Sequence, residues 1–371
     1  MLLSEFIKEH DNWREMLTDK PYCINISEDD RYVLLKYSQI DSDFNIPIVR
    51  ECRGIIFRKS DMKCVCHPFD KFGNYGESYC PEIEWSNATV QEKIDGSLIK
   101  LWYDDGYWRV STNGTIDANN AHLSWVDPTT GAEMSFYDLL LRALRQSGVG
   151  SIERFDEIAN RDCCYMFELV SPYNRVVIQY ESAKLYFLGY RDMVSDKEYP
   201  PETSDINKFF DIPKRFELHT LKDVVDSANQ LPWDEEGYVV CDNHFNRVKI
   251  KSPEYVRAHY VRNNNVVTLK KLVEIVLCGE AEEFRIYSND YADVLDNVEN
   301  HIDEICIKAD SVAGCIDTSL QGKEYADEVK SHEEYMWDFL FRYKKNKLSF
   351  IDYLRGKTCG AVADMLENVY Q

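Results

Sequence analysis

From about residue 32 to residue 251 the chain repeats short β-type runs broken by Gly, Asn and Asp: GIIF, SLIKLWY, YWRVST, CYMFELV, RVVIQY, KLYFLGY and GYVVC. After Pro253 the period changes. Tyr291, Val294, Leu295, Val298, Ile302 and Ile305 fall three or four apart, with acids on the opposite face. Period-two runs followed by helical spacing predict a β-rich part, residues 1–252, and a helical part, residues 253–371. A length of 371 residues agrees, being too much for one ordinary core. Two local signals are sharp. Asp104, Asp105 and Gly106 between two runs predict a hairpin, and SFYDLLLRALRQ predicts a helix over 135–146 with glycine soon after it.

No stretch approaches the roughly 18 to 20 uncharged apolar residues of a membrane span, and MLLSEFIKEHDNWREML reads as an amphipathic helix rather than a secretory leader. A cytoplasmic protein is expected, in the host cell if viral. The 12 cysteines are scattered and never spaced CxxC, so reduced thiols are the expectation. CVCH at Cys64, Cys66 and His67 has no second cluster to complete a metal site. A net charge of −22 argues against a nonspecific nucleic-acid coat. Yet Arg247, Lys249, Lys251, Arg257, Arg262, Lys270 and Lys271 crowd residues 247–271 against one acid, Glu254, a basic strip suited to a nucleotide or nucleic acid.

Within VQEKIDGSLIKLWYDDGYWRV, residues 90–110, Lys93 precedes an Asp-Gly pair. Alone, Lys-x-Asp-Gly also reads as a polar strand end before a turn. Other pieces stand around it in order: ECRGIIF with Arg53, KFGN with Lys71 and Phe72, FELVSPYNRVVI with Glu168, EEGYVV with Glu236, and VKIKSPEYV with Lys249 and Lys251. In the last piece the two lysines alternate with Val248 and Ile250, so they leave one strand face roughly 7 Å apart. Two ammoniums so placed are costly unless they meet an anion, and phosphate is the obvious one. A lysine that attacks phosphorus must be neutral, whereas an unperturbed lysine of pKa about 10.4 is almost wholly charged at pH 7; nearby cations and partial burial correct this.

These motifs, over about residues 30–260, resemble those of the T-even phage RNA ligase 1 family of covalent nucleotidyltransferases. The resemblance implies an α+β chain: an N-terminal nucleotidyltransferase domain, residues 1–252, of mainly antiparallel sheets with flanking helices, and an all-α C-terminal domain, residues 253–371, that biases the choice of RNA. It implies an ATP-dependent RNA ligase that joins 5′-phosphate and 3′-hydroxyl ends through lysine-AMP and RNA-adenylate, with magnesium, or manganese in its place. RNA repair follows, nicked tRNA being one substrate, by a monomer. Carried over residue by residue, Lys93 is the nucleophile and Arg53 a phosphate contact. Glu168 accepts a ribose hydroxyl, and Glu236 is a carboxylate near metal and reacting phosphate. Lys249 and Lys251 clamp phosphate, Asp95 and Gly96 shape the turn, and Lys71 and Phe72 line the nucleotide site, Phe72 equally able to serve the core.

The chain departs from the family at STNGTI, where Asn113 replaces a basic residue before Gly114. An amide still bonds phosphate or ribose, but a cationic contact is missing; either one step loses efficiency or another base such as Arg109 compensates. A DNA ligase or capping enzyme would also use a KxDG lysine, but usually appends a β-barrel where this tail is helical. A catalytically inactive RNA-binding homologue would be expected to lose several of these residues, all of which are present. No GxxxxGK[ST] or GxGxxG occurs, which removes a P-loop kinase or Rossmann site. RYKKNK, residues 342–347, reads as an exposed helix end that could also touch RNA.

Overall fold

The computed structural model describes residues 1–126, 131–260, 267–287 and 291–370. It divides into two compact units, Met1–His259 and Tyr260–Gln371. The first unit is built on three antiparallel sheets. One runs in order β1 (Ile24–Glu28), β2 (Tyr32–Tyr37), β3 (Arg53–Arg58), β4 (Lys63–Cys66). The second, in spatial order, joins β12 (Lys197–Tyr199), β11 (Lys184–Asp192), β10 (Cys163–Val170), β6 (Ser97–Asp104) and β7 (Tyr107–Thr112). The third joins β13 (Arg215–Phe216), β5 (Thr89–Glu92), β14 (Gly237–Cys241) and β15 (Arg247–Lys251), and a small ribbon pairs β8 (His122–Val126) with β9 (Glu133–Ser135).

Sequence spacing explains these elements locally. In β15 the apolar Val248 and Ile250 are buried while Arg247, Lys249 and Lys251 face the other way. The β6–β7 hairpin turns at Asp105 and Gly106, whose φ values of +51° and +85° suit a tight two-residue turn. The helix Phe136–Gln146 starts with a capping box: Asp138 N donates to Ser135 Oγ at 3.1 Å and Ser135 N to Asp138 Oδ2 at 3.0 Å. Strand β6 is buried on both faces, Ile99 and Leu101 toward one cluster, Leu98 and Trp102 toward another. On that second face burial is extended to a lysine, Lys100, whose Nζ donates to the Gly54 carbonyl and whose pKa burial lowers.

Two expectations fail. The N-terminal helix is two, Leu2–Glu9 and Trp13–Thr18, because His10 turns extended, its Nδ1 lying 3.0 Å from the Phe6 carbonyl. RVVIQY is no strand: the N–H groups of Val177 and Ile178 donate to Asp95 Oδ2, at 2.9 and 2.7 Å, instead of to a neighbouring strand.

The second unit, over its described residues, is wholly helical. Its longest helix, Ala292–Cys315, buries Leu295, Val298, Ile302 and Ile305, while Val294 is exposed. Phe339 meets Phe350 edge-on at 4.8 Å in its core. In RYKKNK, Arg342 pairs with Asp338 at 3.2 Å and Lys344 donates to the Leu320 carbonyl. Arg262 of the basic strip lies outside the described residues; Arg257 pairs with Glu254 and Lys271 with Glu274.

Candidate active site

Lys93 stands where the chain leaves the third sheet for the second. Strand β5 ends at Glu92, Lys93 N donates to Gly237 O at 2.9 Å, and residues 94–96 lead into β6. Its ammonium ends 2.8 Å from Glu236 Oε1, and Lys251 Nζ is 3.8 Å from the same oxygen. Glu236 is buried, and its Oε2 has no hydrogen-bond partner. Glycine is obligatory next door: a Cβ at Gly237, where φ is +132°, would collide with the Ile250 carbonyl. At Gly96 a Cβ would stand 2.6 Å from the Leu169 carbonyl, so the turn after Lys93 lies directly on the end of β10.

The surrounding cavity, about 480 Å³, is lined by Arg53, Phe72, Lys93, Gly96, Glu168, Lys249 and Lys251, together with Phe69, Asn113, Phe136, Val239 and Arg247. Two cations stand near Phe72, its ring centre 5.0 Å from the Arg53 guanidinium and 5.8 Å from Lys249 Nζ. Arg53 Nε is buried without a hydrogen-bond partner, as is Asn113 Oδ1. Unmet polar atoms inside a cavity call for a ligand with complementary groups.

Asp95, Lys71 and Glu236 are outside this lining. Asp95 is buried behind the turn, where Tyr255 OH donates to its Oδ1 at 2.9 Å, so it acts on the backbone rather than on the cavity. The SPYNR segment is a brace of the same kind. Ser171 Oγ donates to Asn174 Oδ1, and Asn174 Nδ2 donates to Leu169 O at 2.8 Å and Ser97 Oγ at 3.1 Å, tying β10 to β6. Lys71 Nζ lies 4.8 Å from the Phe44 ring centre and lines a second cavity of about 510 Å³, which shares Phe72 and Arg247 with the first. Arg109 does not stand in for the base missing at Asn113: its guanidinium lies 5.0 Å from the Tyr32 ring centre, outside the cavity.

Burial pushes the Glu168 carboxyl up to about 7, against the pull of Lys93 and with the push of Glu236. The folded chain therefore holds this proton more tightly than the unfolded one, so the stability it lends is full below about pH 4.5 and is lost as pH rises through about 7. Between about pH 5 and about pH 8 the melting temperature of wild type should fall relative to that of Glu168→Gln. Parallel melting curves across that range would refute the shift.

Sequence reading missed Arg247, Tyr255, Phe69 and Phe136 as site residues. Alternation along β15 could have found Arg247, which shares the lysine face and pairs with buried Glu198. The others depend on long-range packing and leave no local signal. At CVCH, His67 Nδ1 lies 2.7 Å from Asp196 Oδ1 and Cys66 Sγ 3.5 Å from Cys164 Sγ; among the described residues no group of three metal-binding side chains gathers.

A family model described as RNA ligase matches residues 51–255. A protein of Autographa californica nuclear polyhedrosis virus, named for a bifunctional polynucleotide kinase and RNA ligase, is 32% identical over 276 residues, 70% of this chain and 38% of its own length. The chain thus spans well under half of that relative. An RNA ligase of Rhodothermus phage RM378 is 25% identical over 81% of this chain and 78% of its own. A solved archaeal ATP-dependent RNA ligase superposes at TM-score 0.44 and 14% identity, covering 84% of this chain and 82% of its own, too loosely to weigh in the assignment. With the matched span running from the strand of Arg53 through the lysine face of β15, the chain belongs to the T4 RNA ligase 1 family of RNA ligases.

Proposed function

We propose that the protein is an ATP-dependent RNA ligase whose covalent nucleophile is Lys93. One observation carries the reading: an amine 2.8 Å from a buried carboxylate, in a cavity also lined by Arg53, Lys249 and Lys251. Glu236 Oε1 receives the proton that Lys93 sheds. The amine attacks the α-phosphorus of ATP, an N–P bond forms, and the P–O bond to pyrophosphate breaks. A 5′-phosphate oxygen of RNA then displaces the lysine, and a 3′-hydroxyl finally displaces AMP to seal the strand. Lys249, Lys251 and Arg53 hold phosphate charge throughout, work that is mainly positioning and electrostatic stabilisation. Glu168, on β10 at the cavity wall, accepts a ribose hydroxyl.

The orphaned Glu236 Oε2 would hold a divalent cation of the magnesium type, which is bound by one or two carboxylates plus substrate phosphate oxygens. Such an ion supplies neutralisation of charge on the phosphates. The reading is tested by full-length protein with α-labelled ATP, a divalent metal, and then 5′-phosphorylated RNA or its DNA counterpart. Expected are a labelled protein band and joined RNA. No label with any of several divalent metals sinks the reading, and joining of DNA alone would favour a DNA ligase.

The helical residues 253–371 are proposed to bias RNA choice, broken tRNA loops being one target. Removing residues 262–371 should spare lysine adenylylation yet alter the relative joining of structured and unstructured RNAs. Unaltered ratios would count against it.

A further inference from the structure

The cation that Asn113 lacks is available from another strand. Lys36 lies on β2 directly opposite Arg53, its Cα partner on β3, so the two side chains start from neighbouring positions. Its ammonium is 3.6 Å from where a Cβ of Gly114 would stand, and nothing else comes within 4 Å of that point. Gly114 and Asn113 both line the cavity, and Lys36, itself just outside the lining, reaches it at Gly114 where Arg109 does not. The start of β3 is pressed on the same loop: at Gly54, whose φ is +77°, a Cβ would meet the Asn113 carbonyl at 2.6 Å. Lys36 is half-buried, and its side chain makes no hydrogen bond or ion pair among the described residues. Five other cations, Arg53, Lys93, Arg247, Lys249 and Lys251, already line this cavity. A further unpaired one at its rim is repelled by them until an anion enters.

We infer that Lys36 is a phosphate-binding residue of this site, giving across the rim the positive charge that the family carries at the position of Asn113. Asn113 keeps a neutral share of the contact: its buried, unpartnered Oδ1 accepts a ligand hydroxyl or amine. The ligand is a phosphate group, of ATP or of the RNA 5′ end. The inference rests on the ligase reading.

The test uses full-length protein and separates the two phosphate sources. Formation of lysine-AMP is followed against ATP concentration; transfer from isolated lysine-AMP protein to 5′-phosphorylated RNA is followed by itself. Lys36→Met, which keeps the length of the side chain, should weaken one of these steps about ten- to a hundredfold, the usual size of a lost charged hydrogen bond. Loss in the first step assigns ATP, and loss in the second alone assigns the RNA end. Lys36→Arg should recover most of the activity. So should Lys36→Met combined with Asn113→Lys, which returns the charge to the other side of the rim. A structural role for Lys36 would not be rescued by charge at residue 113. Wild-type rates for Lys36→Met in both steps, or a loss that Asn113→Lys leaves untouched, would overturn the inference. Absence of label on wild type would instead sink the ligase reading itself.

Discussion

Replacing Lys93 with alanine should abolish the labelled protein band formed with α-labelled ATP, a fall of roughly four orders of magnitude or more. The size of the effect follows from the chemistry. Of the lysines lining the cavity, Lys93 alone has its amine against the Glu236 carboxylate at 2.8 Å, while Lys251 is 3.8 Å away and lies on β15 facing the proposed phosphates. Lys93→Arg should fail as completely, because a guanidinium stays charged and cannot act as the nucleophile. The same Lys93→Ala protein should still seal RNA supplied with a preformed 5′-adenylate, since that step uses the 3′-hydroxyl as nucleophile. Denaturing gels for the first assay and joined-strand products for the second separate the two. Label remaining on Lys93→Ala would mean that the nucleophile is elsewhere.

Asp95→Ala should cause the largest loss of stability. Its buried carboxylate accepts from three donors, the N–H groups of Val177 and Ile178 and the hydroxyl of Tyr255. Each donor left unsatisfied in the interior costs about 1 to 3 kcal/mol, and removing a buried charge recovers part, so about 3 to 5 kcal/mol is expected overall. For a unit of this size that is a fall of roughly 10 °C in melting temperature. Asp95→Asn keeps one acceptor oxygen but turns an amide donor toward the remaining N–H groups, so it should fall between. Adenylylation should drop in both even at temperatures where they are folded, because residues 94–96 carry Lys93 and lose their anchor. An unchanged melting temperature for Asp95→Ala would rule this anchor out.

Much of the site was legible because its residues lie at fixed offsets from strand ends. Period-two spacing put Lys249 and Lys251 on one face, and β15 has them there. The same rule applies to Arg247, yet its charge was read only as part of a basic strip. RVVIQY has strand composition but meets no partner strand, because its amides turn to a carboxylate some eighty residues earlier in the chain. Lys100 has the reverse history: a charged residue in a strand run is fully buried because a carbonyl from another sheet awaits it.

Arg109 and Lys36 mark the boundary between the two kinds of information. Sequence proximity to Asn113 favoured Arg109, whose guanidinium instead covers the rings of Tyr32 and Trp102. Lys36 is 77 residues from Asn113 and meets its loop only because β2 pairs with β3 and β3 presses on the end of β7. Residue type and near-neighbour spacing were enough for most strands and helices, the faces of β15 and the family motifs, but not for RVVIQY or the break at His10. Which charges share a cavity, and which carboxylate is turned to the backbone, was decided by tertiary structure alone, because electrostatic and hydrogen-bond energies depend on distances in space that chain spacing does not encode.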